Sequence, residues 1–382
     1  MSRGLRVFVP SASALLTDHR PHGEGLIAWD VFSGLADRGH ELVVCAREVA
    51  LGSRPPFETI ETGPASRWES VEPLAYARRI DRIYGSRSRE GRFDLVHWLF
   101  PQGPEEVLFA PGDRVPYVLG PHSLTWPGVT RKPRRPGDVV RLAAGPIFSR
   151  AYGRALDEAA TVFVSVPEAV SMFPQRHRVK VQVLPFGVDE TQFSPTPVPS
   201  DPTVLFVGRL DEAKGVRTVV EGFARARAVL GQGRLILVGG GPDAAWVESA
   251  RDRLALNGSL ELRGPVPHSG VAEALHQATI VCLPAAGEPF GMALVEAMAA
   301  GRAVLASDTG GPKYILRKST RRACQLVPPD DVPALADALL DLLRDRTRLE
   351  AIAAENRRLV EEEFTLKRML DKLEAKYLEF AR

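Results

Sequence analysis

The feature that most constrains the fold is an alternation of short apolar runs with longer amphipathic ones. A helical run at residues 25–38 ends at Gly39. The strand-like runs of the first half are residues 5–9, 41–45, 94–98, 117–119 and 161–164. Such alternation is typical of a parallel sheet covered by helices on both faces. It predicts an α/β, doubly wound fold.

A proline-rich stretch, LPFGVDETQFSPTPVPSDPT from Leu184, interrupts this alternation, because its prolines cannot continue a helix. The alternation then restarts, with strands expected near Val204, Leu235, Leu260, Ile280, Val304 and Leu326. A chain of 382 residues is also too long for one comfortable core. We therefore predict two Rossmann-like domains, residues 1–185 and 186–364.

The last segment, residues 365–382, has apolar side chains near helical spacing. Such a stripe needs a packing partner. We expect a C-terminal helix that returns to the first domain.

Composition excludes several classes of protein. A net charge of +2, with 45% hydrophobic and 25% charged residues, does not indicate a polyanion-binding protein, so no nucleic-acid partner is expected. Cys45, Cys282 and Cys324 lack metal-ligand spacing and are expected to be reduced and buried. No signal peptide or apolar run of membrane-spanning length occurs, so we expect a cytoplasmic protein without an integral membrane segment.

Two cations follow the first strand of the second half. This strand, TVLFVG, ends at Gly208, and Arg209 and Lys214 come next in VGRLDEAKGV. A loop at the carboxyl end of a parallel strand, leading into a helix N-terminus, is where anions bind in such folds. The pattern favours a diphosphate site, and the alternative is a solvated loop with two surface charges.

A glycine run ends the second strand of the same half. Gly239, Gly240 and Gly241 allow backbone to approach a ligand closely, although such a run is also typical of a tight turn. With Ala244 the run matches a degenerate dinucleotide fingerprint, and Glu261 lies about 20 residues on, where a ribose-binding acid is expected. A nicotinamide oxidoreductase is therefore an alternative. Against it, that fingerprint normally follows the first strand of its domain.

The most specific motif is EPFGMALVE, residues 288–296, between the strand TIVCLP and a helix that ends in MAAG. Pro289 and Gly291 suit the first turn of this helix, so we expect Glu288 on the loop and Glu296 within the helix. Both carboxylates would then face one crevice. Alternatively, Glu288 only complements the helix dipole, for about 0.3–1 kcal/mol, and Glu296 lies on a solvated face.

Together these motifs resemble the retaining GT-B glycosyltransferases, family four in the usual numbering. That family includes sucrose synthases and bacterial mannosyl- and N-acetylglucosaminyltransferases. GLADRGHELVV, LPFGVD, VGRLDEAKG, LVGGGP and the glutamate pair occur in its order and spacing, through nearly the whole chain. The resemblance implies a GT-B fold, in which two Rossmann-like domains face each other across a cleft.

The resemblance also implies a role for each donor-site residue. Arg209 and Lys214 would hold the leaving diphosphate. Glu288 would hydrogen-bond the hydroxyls of the donor sugar, and Glu296 would bind the ribose. Gly241 and Pro242, with the RGPVP turn at residues 263–267, which includes Arg263 and Val266, would border the nucleotide base. The remaining donor-site residues are Gly208, Gly240, Pro289, Phe290, Gly291 and Met292.

In the first domain, Gly23 and Gly25 occupy the place of the family's glycine pair near the phosphates, here interrupted by Glu24. His122, in LGPHSLTWP, stands where family members point a histidine at the transferred sugar. A loop histidine bonded to a backbone carbonyl is the alternative. The chain departs from the family at SDTGGPKYI, where Lys313 rather than an acid follows the glycine pair.

The acceptor is assigned to the first domain by position alone. Its candidate contacts are His97, Trp98, Gln102 and Trp126. A basic loop, RKPRRP at residues 131–136, would suit an anionic acceptor or a membrane surface, but its prolines favour a solvated turn. The expected acceptor is a soluble small molecule.

The expected activity is transfer of a hexose-type sugar with retention, from a UDP- or GDP-linked donor. No cofactor or metal is expected, because Arg209 and Lys214 can neutralise the leaving group. Two alternatives keep the fold: a GT-B sugar-nucleotide epimerase and a non-catalytic sugar-nucleotide binder. The spacing of Glu288 and Glu296 favours the transferase.

Overall fold

The computed structural model describes residues 4–64, 72–100, 109, 115–122 and 145–381. Contacts divide the chain into two compact units, Met1–Phe186 with Met369–Arg382, and Gly187–Arg368. Each unit has its own parallel sheet and its own buried core.

The first unit contains nine of the described strands: β1 (Arg6–Val9), β2 (Leu15–Thr17), β3 (Glu41–Ala46), β4 (Glu48–Ala50), β5 (Glu58–Glu61), β6 (Leu95–Trp98), β7 (Tyr117–His122), β8 (Thr161–Val164) and β9 (Val181–Val183). Seven form a parallel sheet in the order β5-β3-β1-β6-β7-β8-β9, and β2 pairs with β4. The winding reverses at β1, which lies between β3 and β6. This is the doubly wound topology expected from the sequence.

The helices of this unit are α1 (Gly23–Asp37), α2 (Glu72–Glu90) and α3 (Gly145–Glu158), and two 3₁₀ turns follow at Pro167–Met172 and Gln175–Lys180. The buried side chains of α1 recur at helical spacing, from Ile27 through Val31 to Leu35, because one face of the helix packs on the sheet. The helix ends before Gly39, which has a φ of 89°.

The second unit has six described strands: β10 (Thr203–Val207), β11 (Arg234–Val238), β12 (Leu260–Gly264), β13 (Ile280–Leu283), β14 (Ala303–Ser307) and β15 (Leu326–Val327). All run parallel, in the order β12-β11-β10-β13-β14-β15. The chain first winds outward from β10 and then crosses to β13 on its other side. The gap between the carboxyl ends of β10 and β13 is therefore the topological switch point of this sheet.

The helices that begin in this unit are α4 (Val216–Leu230), α5 (Ala244–Arg253), α6 (His268–Gln277), α7 (Met292–Ala299), α8 (Gly310–Ile315), α9 (Val332–Arg344), α10 (Arg346–Glu363) and α11 (Leu366–Phe380). The core lies between sheet and helices, where Phe206 of β10, Val219 of α4 and Leu339 of α9 belong to one buried cluster. These apolar contacts fix the strand ends that carry the loops of the candidate site.

The last helix, α11, buries its apolar stripe in the first unit from Met369 onward. Leu370 packs so closely on α1 that a Cβ added at Gly34 would lie 2.4 Å from it. Arg38 forms ion pairs with Asp371 at 2.8 Å and Glu374 at 2.7 Å. Apolar burial and charge pairing thus hold this helix in place.

The proline-rich stretch is packed on the second unit. Arg302 is fully buried and donates to the carbonyl oxygens of Leu275 at 2.8 Å and Thr196 at 2.9 Å. Burial lowers the pKa of this guanidinium to about 10. Arg346 donates to the Pro199 carbonyl at 2.6 Å. Hydrogen bonds from these two arginines to its backbone carbonyls therefore hold the stretch on the second unit.

The strand predictions are confirmed: all eleven strand-like runs are strands. Four strands, which have only three or four residues each, were not predicted: β2, β4, β5 and β9. Cys45 and Cys282 are buried, and burial raises the pKa of both thiols. Cys324 is only half-buried, which corrects the expectation of three buried cysteines.

Candidate active site

The loop after β10 is a tightly built turn. Asp211 caps the 3₁₀ turn Glu212–Lys214, and its Oδ1 accepts from the Lys214 backbone N–H at 2.9 Å. Gly215 follows with a φ of 75°, and a Cβ there would lie 2.3 Å from the Pro284 carbonyl oxygen. Only glycine tolerates both this conformation and this close approach. The turn therefore fixes the point from which the Lys214 side chain extends.

Lys214 and Glu288 meet at the switch point of the second sheet. The Lys214 Nζ donates to Glu288 Oε2 at 2.7 Å, which joins the loop after β10 to the loop after β13. Ligands of doubly wound sheets bind outside the carboxyl ends of the strands at such a point. The two side chains keep 35% and 19% of their surface exposed, so a ligand can reach both.

Arg209 belongs to the same loop and is more open to solvent. Its guanidinium donates to the Asp211 carboxylate, and 66% of its side chain is exposed. Gly208, with a φ of 154°, turns the chain between β10 and Arg209. The loop therefore carries two cations, of which Lys214 is the less exposed.

Glu288 contacts a cation rather than the start of α7. The N-cap of α7 is Gly291, with a φ of 107°, and among the described residues no side chain caps this helix. Pro289 and Met292, on either side of the turn, are partly exposed. The contact with Lys214 favours a site role for Glu288 over a role limited to the helix dipole.

Phe290 requires a correction as a donor-contacting side chain. It is only 3% exposed and packs edge-on against Phe364, with ring centroids 6.2 Å apart. A Cβ added at Gly311 would lie 1.9 Å from the Phe290 carbonyl oxygen. The motif therefore uses this phenylalanine to anchor the loop in the core.

Glu296 lies in α7 and is 13% exposed, which is inconsistent with a solvated helix face. Its Oε1 lies 3.4 Å from Nε2 of His268, the first residue of α6. His268 was not among the predicted site residues. An available signal was its position, directly after the RGPVP turn that the resemblance assigned to the nucleotide base.

The glycine run packs against the loop after β10. A Cβ added at Gly239 would lie 1.9 Å from the Gly208 carbonyl oxygen, and one at Gly241 would lie 2.3 Å from that of Leu210. These two glycines therefore permit a close approach of protein backbone, which explains their presence without a ligand. Gly240 faces the Pro265 ring, 3.2 Å from its added Cβ. Pro242 is exposed.

The turn after β12 has its own charge pairing. Arg263 forms an ion pair with Glu261 and donates to Gln277 Oε1 at 2.6 Å. Val266 is partly buried and lies against the first turn of α6, since a Cβ added at Gly270 would lie 3.1 Å from the Val266 Cβ. The turn and α6 therefore form one packed element.

In the first unit, the predicted glycine pair opens α1. The His22 ring is its N-cap and accepts from the Gly25 N–H through Nδ1 at 3.1 Å. A Cβ added at Gly25 would lie 2.0 Å from the Leu15 carbonyl oxygen, so packing on β2 requires this glycine. An added Cβ at Gly23 meets nothing within 4 Å. Of the two, only Gly23 leaves open space beside the helix terminus.

His97 and Trp98 require a correction as acceptor contacts. Their exposed fractions are 0% and 1%, because the β6 run LVHW is buried on both faces of the sheet. The Nε2 of His97 donates to the Gly120 carbonyl at 2.6 Å, and its Nδ1 accepts from the hydroxyl of the buried Tyr377. Burial lowers the pKa of His97 to about 4. These side chains belong to the core of the first unit.

His122 is the last residue of β7, at the carboxyl end of that strand. Gln102, Trp126 and the basic loop at residues 131–136 lie outside the described residues. Within the described ranges, no helix is long and apolar enough to cross a membrane. In the same ranges, no three His, Cys, Asp or Glu side chains are grouped as metal ligands would be.

Two sequence models of protein families match the chain. The model described as "Glycosyl transferase 4-like domain" matches residues 22–187. The model described as "Glycosyl transferases group 1" matches residues 201–345. The two matches fall on the first and the second unit, respectively.

The chain is 30% identical over 327 residues to the phosphatidyl-myo-inositol mannosyltransferase of Mycolicibacterium smegmatis, covering 81% of this chain and 78% of that relative. Sucrose-phosphate synthase from Thermosynechococcus elongatus has a TM-score of 0.74, with 21% identity over 99% of both chains. HepE of Anabaena, in a complex with UDP and glucose, has a TM-score of 0.72 and 17% identity, covering 99% of this chain and 100% of that one. Such structural likeness shows the GT-B fold. The chain therefore belongs to the family-four glycosyltransferases of the GT-B fold, which are enzymes that transfer a sugar.

Proposed function

We propose that the protein transfers a hexose-type sugar, with retention of anomeric configuration and without a metal ion, from a UDP- or GDP-linked donor to a hydroxyl of a small-molecule acceptor. The contact between Lys214 and Glu288 carries this proposal. It brings a cation and a carboxylate from two loops to the switch point of one sheet, where such folds bind nucleotides.

In this proposal, Lys214 stabilises the charge that develops on the departing diphosphate, and Arg209 adds a second cation from the same loop. A preorganised cation at the leaving group is a large contributor to catalysis of such a transfer. Because side chains supply this charge, the reaction does not require a divalent ion.

The donor sugar lies beside Glu288, which accepts hydrogen bonds from its hydroxyls. In the transfer, the bond from the anomeric carbon to the diphosphate oxygen breaks, and a bond to the acceptor oxygen forms on the same face of the sugar. We infer an oxocarbenium-like transition state for this step. We infer that the acceptor contacts come from the first unit.

One solved structure supports a nucleotide donor, and one relative supports a hexose as the transferred sugar. HepE was solved with UDP and glucose, and the matched relative from Mycolicibacterium smegmatis is named as a mannosyltransferase. UDP-glucose and GDP-mannose are therefore the first donors to test. Membership of the family removes the nicotinamide oxidoreductase as an alternative.

The test is to incubate the protein with a panel of UDP- and GDP-sugars, with and without polyol and sugar acceptors, and to measure nucleotide diphosphate release. We expect release that depends on an acceptor, and a product whose anomeric configuration, measured by NMR, matches that of the donor. Release without a transferred product, a new sugar nucleotide, or an inverted product would contradict the proposal.

A second experiment tests whether the transfer requires a divalent metal ion. We expect the rate of transfer to survive treatment with excess EDTA, because Lys214 and Arg209 carry the neutralising charge. Loss of activity in EDTA that Mg²⁺ or Mn²⁺ specifically restores would show that a divalent ion takes part.

A further inference from the structure

His268 connects two elements of the second unit, each of which is assigned to a different part of the nucleotide. It begins α6, directly after the turn at residues 263–267, and its ring reaches Glu296 on α7. The distance from its Nε2 to Glu296 Oε1 is 3.4 Å. One side chain therefore connects the turn assigned to the nucleotide base with the carboxylate assigned to the ribose.

The His268 ring is held on two sides. It packs edge-on against Phe193, with ring centroids 5.4 Å apart, and Phe193 is itself only 1% exposed. Its backbone belongs to the first turn of α6, which packs on Val266 through Gly270. The side chain is 16% exposed. A ring restricted in this way keeps its Nε2 in a fixed position.

The carboxylate of Glu296 is also restricted in its orientation. Within the described ranges, His268 is the only side chain hydrogen-bonded to it, and the bond uses Oε1. A glutamate has several rotatable bonds, so an unrestrained carboxylate loses more freedom when it binds a ligand. With Oε1 held, the orientation of the carboxylate is set before a ligand arrives.

We propose that His268 is a positioning residue for nucleotide binding: its Nε2–H donates to Glu296 Oε1 and aims the carboxylate at the ribose hydroxyls of a nucleoside diphosphate. This inference rests on the proposed function. It predicts that His268 acts only through ligands that have ribose hydroxyls, whereas a purely structural tie between α6 and α7 affects every nucleotide alike.

The test measures dissociation constants by calorimetry for four probes: UDP, GDP and their 2′,3′-dideoxy analogues. The protein variants are His268→Ala, His268→Phe, His268→Gln and Glu296→Gln, each checked by thermal unfolding. His268→Phe keeps a ring against Phe193 without the donor. His268→Gln keeps an N–H donor of similar reach.

For the nucleotide that the wild-type protein prefers, we expect His268→Ala and His268→Phe to raise the Kd about 2- to 12-fold, the range for one hydrogen bond of ordinary strength. The Kd of its dideoxy analogue should stay unchanged. His268→Gln should restore most of the wild-type preference for ribose. If His268→Ala does not fold, His268→Phe and His268→Gln still decide the matter.

The controls distinguish failure of the positioning role of His268 from failure of the proposed nucleotide site. If Glu296→Gln loses the preference for ribose while His268→Phe keeps it, the positioning role is wrong and the proposed function stands. Equal weakening of ribose and dideoxy probes in His268→Phe also overturns the positioning role. If the wild-type protein binds neither UDP nor GDP, or if Glu296→Gln keeps the full ribose preference, the nucleotide site itself is misassigned and the inference fails with it.

Discussion

The two sheets have equivalent strand orders around their central strands, β1 and β10, but their carboxyl ends differ in chemistry. In the second unit, Lys214 and Glu288 pair across two loops and stay partly exposed. In the first unit, His97 is fully buried and bonded to Gly120 and Tyr377. Lys214 and Glu288 are therefore accessible at one edge, whereas both ring nitrogens of His97 are bonded within the core of the first unit.

Asp18 of the first unit follows the same pattern as His97. Its carboxylate accepts from the backbone N–H groups of Gly52 at 2.8 Å and Ser53 at 2.9 Å. Partial burial works against ionisation, but these hydrogen bonds and those from the Ser53 and His19 side chains outweigh it, so the pKa of Asp18 is well below its usual value. This carboxylate therefore links the loop after β2 to the loop after β4.

The comparison shows that a shared topology does not assign function, because function depends on which side chains the loops carry. A glycine pattern likewise does not by itself assign a ligand contact. Gly25 in the first unit and Gly239 in the second both resemble ligand-approach glycines, yet backbone packing requires each of them. The four substitutions below test the contrast between the units, in order of their expected effect on sugar transfer.

Lys214→Ala should have the largest effect, because it removes the cation nearest to the leaving diphosphate. We expect a loss of about 2–4 kcal/mol of transition-state stabilisation, or roughly 30- to 1,000-fold in rate. The measurement is kcat and kcat/KM for the identified donor. Lys376→Ala is the matched control, since Lys376 is a partly exposed lysine that also pairs with a glutamate, Glu379. Near-normal turnover of Lys214→Ala would show that the diphosphate lies elsewhere.

Glu288→Gln should lower kcat about 10- to 100-fold and should weaken donor binding by less. The reason is that the carboxylate acts on a sugar whose anomeric carbon gains positive character. A role limited to the helix dipole would instead cost about 0.5 kcal/mol of stability and leave turnover unchanged. Steady-state kinetics at varied donor concentration, together with thermal unfolding, distinguish these outcomes. Glu350→Gln, at an exposed carboxylate paired with Arg346, is the control. An unchanged kcat with a lowered Tm would remove Glu288 from the chemistry.

The strand positions were predictable because strands alternate with helices at a regular period in the sequence. The proximity of Lys214 and Glu288 was predictable because both lie on loops that follow neighbouring parallel strands, β10 and β13. The short strands β2 and β4 were not predictable, because three residues carry too little pattern and their pairing depends on tertiary contact.

The missed side-chain roles have similar causes. The contact of His268 with Glu296 joins two helices and leaves no periodic signal. The burial of His97 and Trp98 did have a signal, since LVHWLF is a nearly continuous apolar run, which is typical of a strand buried on both faces. Their assignment as acceptor contacts rested on position in the chain alone, which does not report burial.

Glu296→Gln should have a smaller effect than Glu288→Gln, and on a different parameter. The ribose changes little between the bound donor and the transition state, so this carboxylate contributes mainly uniform binding. We expect the donor KM to rise about 3- to 10-fold while kcat stays within about 2-fold. A fall in kcat with an unchanged KM would place Glu296 nearer to the reacting carbon and would reverse the division between the two glutamates.

His97→Gln should have the smallest effect on transfer, with kcat within about 2-fold of wild type, because its ring is bonded within the core. Its effect should appear in the pH dependence of stability. Burial lowers the folded pKa of His97 to about 4, below the value near 6.5 expected in the unfolded chain. The unfolded state therefore binds the proton more readily. The contribution of His97 to stability is fully present above pH 6.5 and is lost as the pH falls toward 4.

Glutamine cannot titrate in this range but can still donate to the Gly120 carbonyl, so the variant should lose less stability between pH 7 and pH 4.5 than the wild-type protein. The difference should be on the order of 2–3 kcal/mol. Urea unfolding at both pH values measures it, and His276→Gln, a histidine bonded to the exposed Ser194 carbonyl, serves as the control. An equal acid-side loss in His97→Gln and wild type would mean that His97 is not held neutral by burial. A large fall in kcat would mean that His97 itself takes part in the chemistry, and the contrast between this buried histidine and the accessible pair of the second unit would no longer hold.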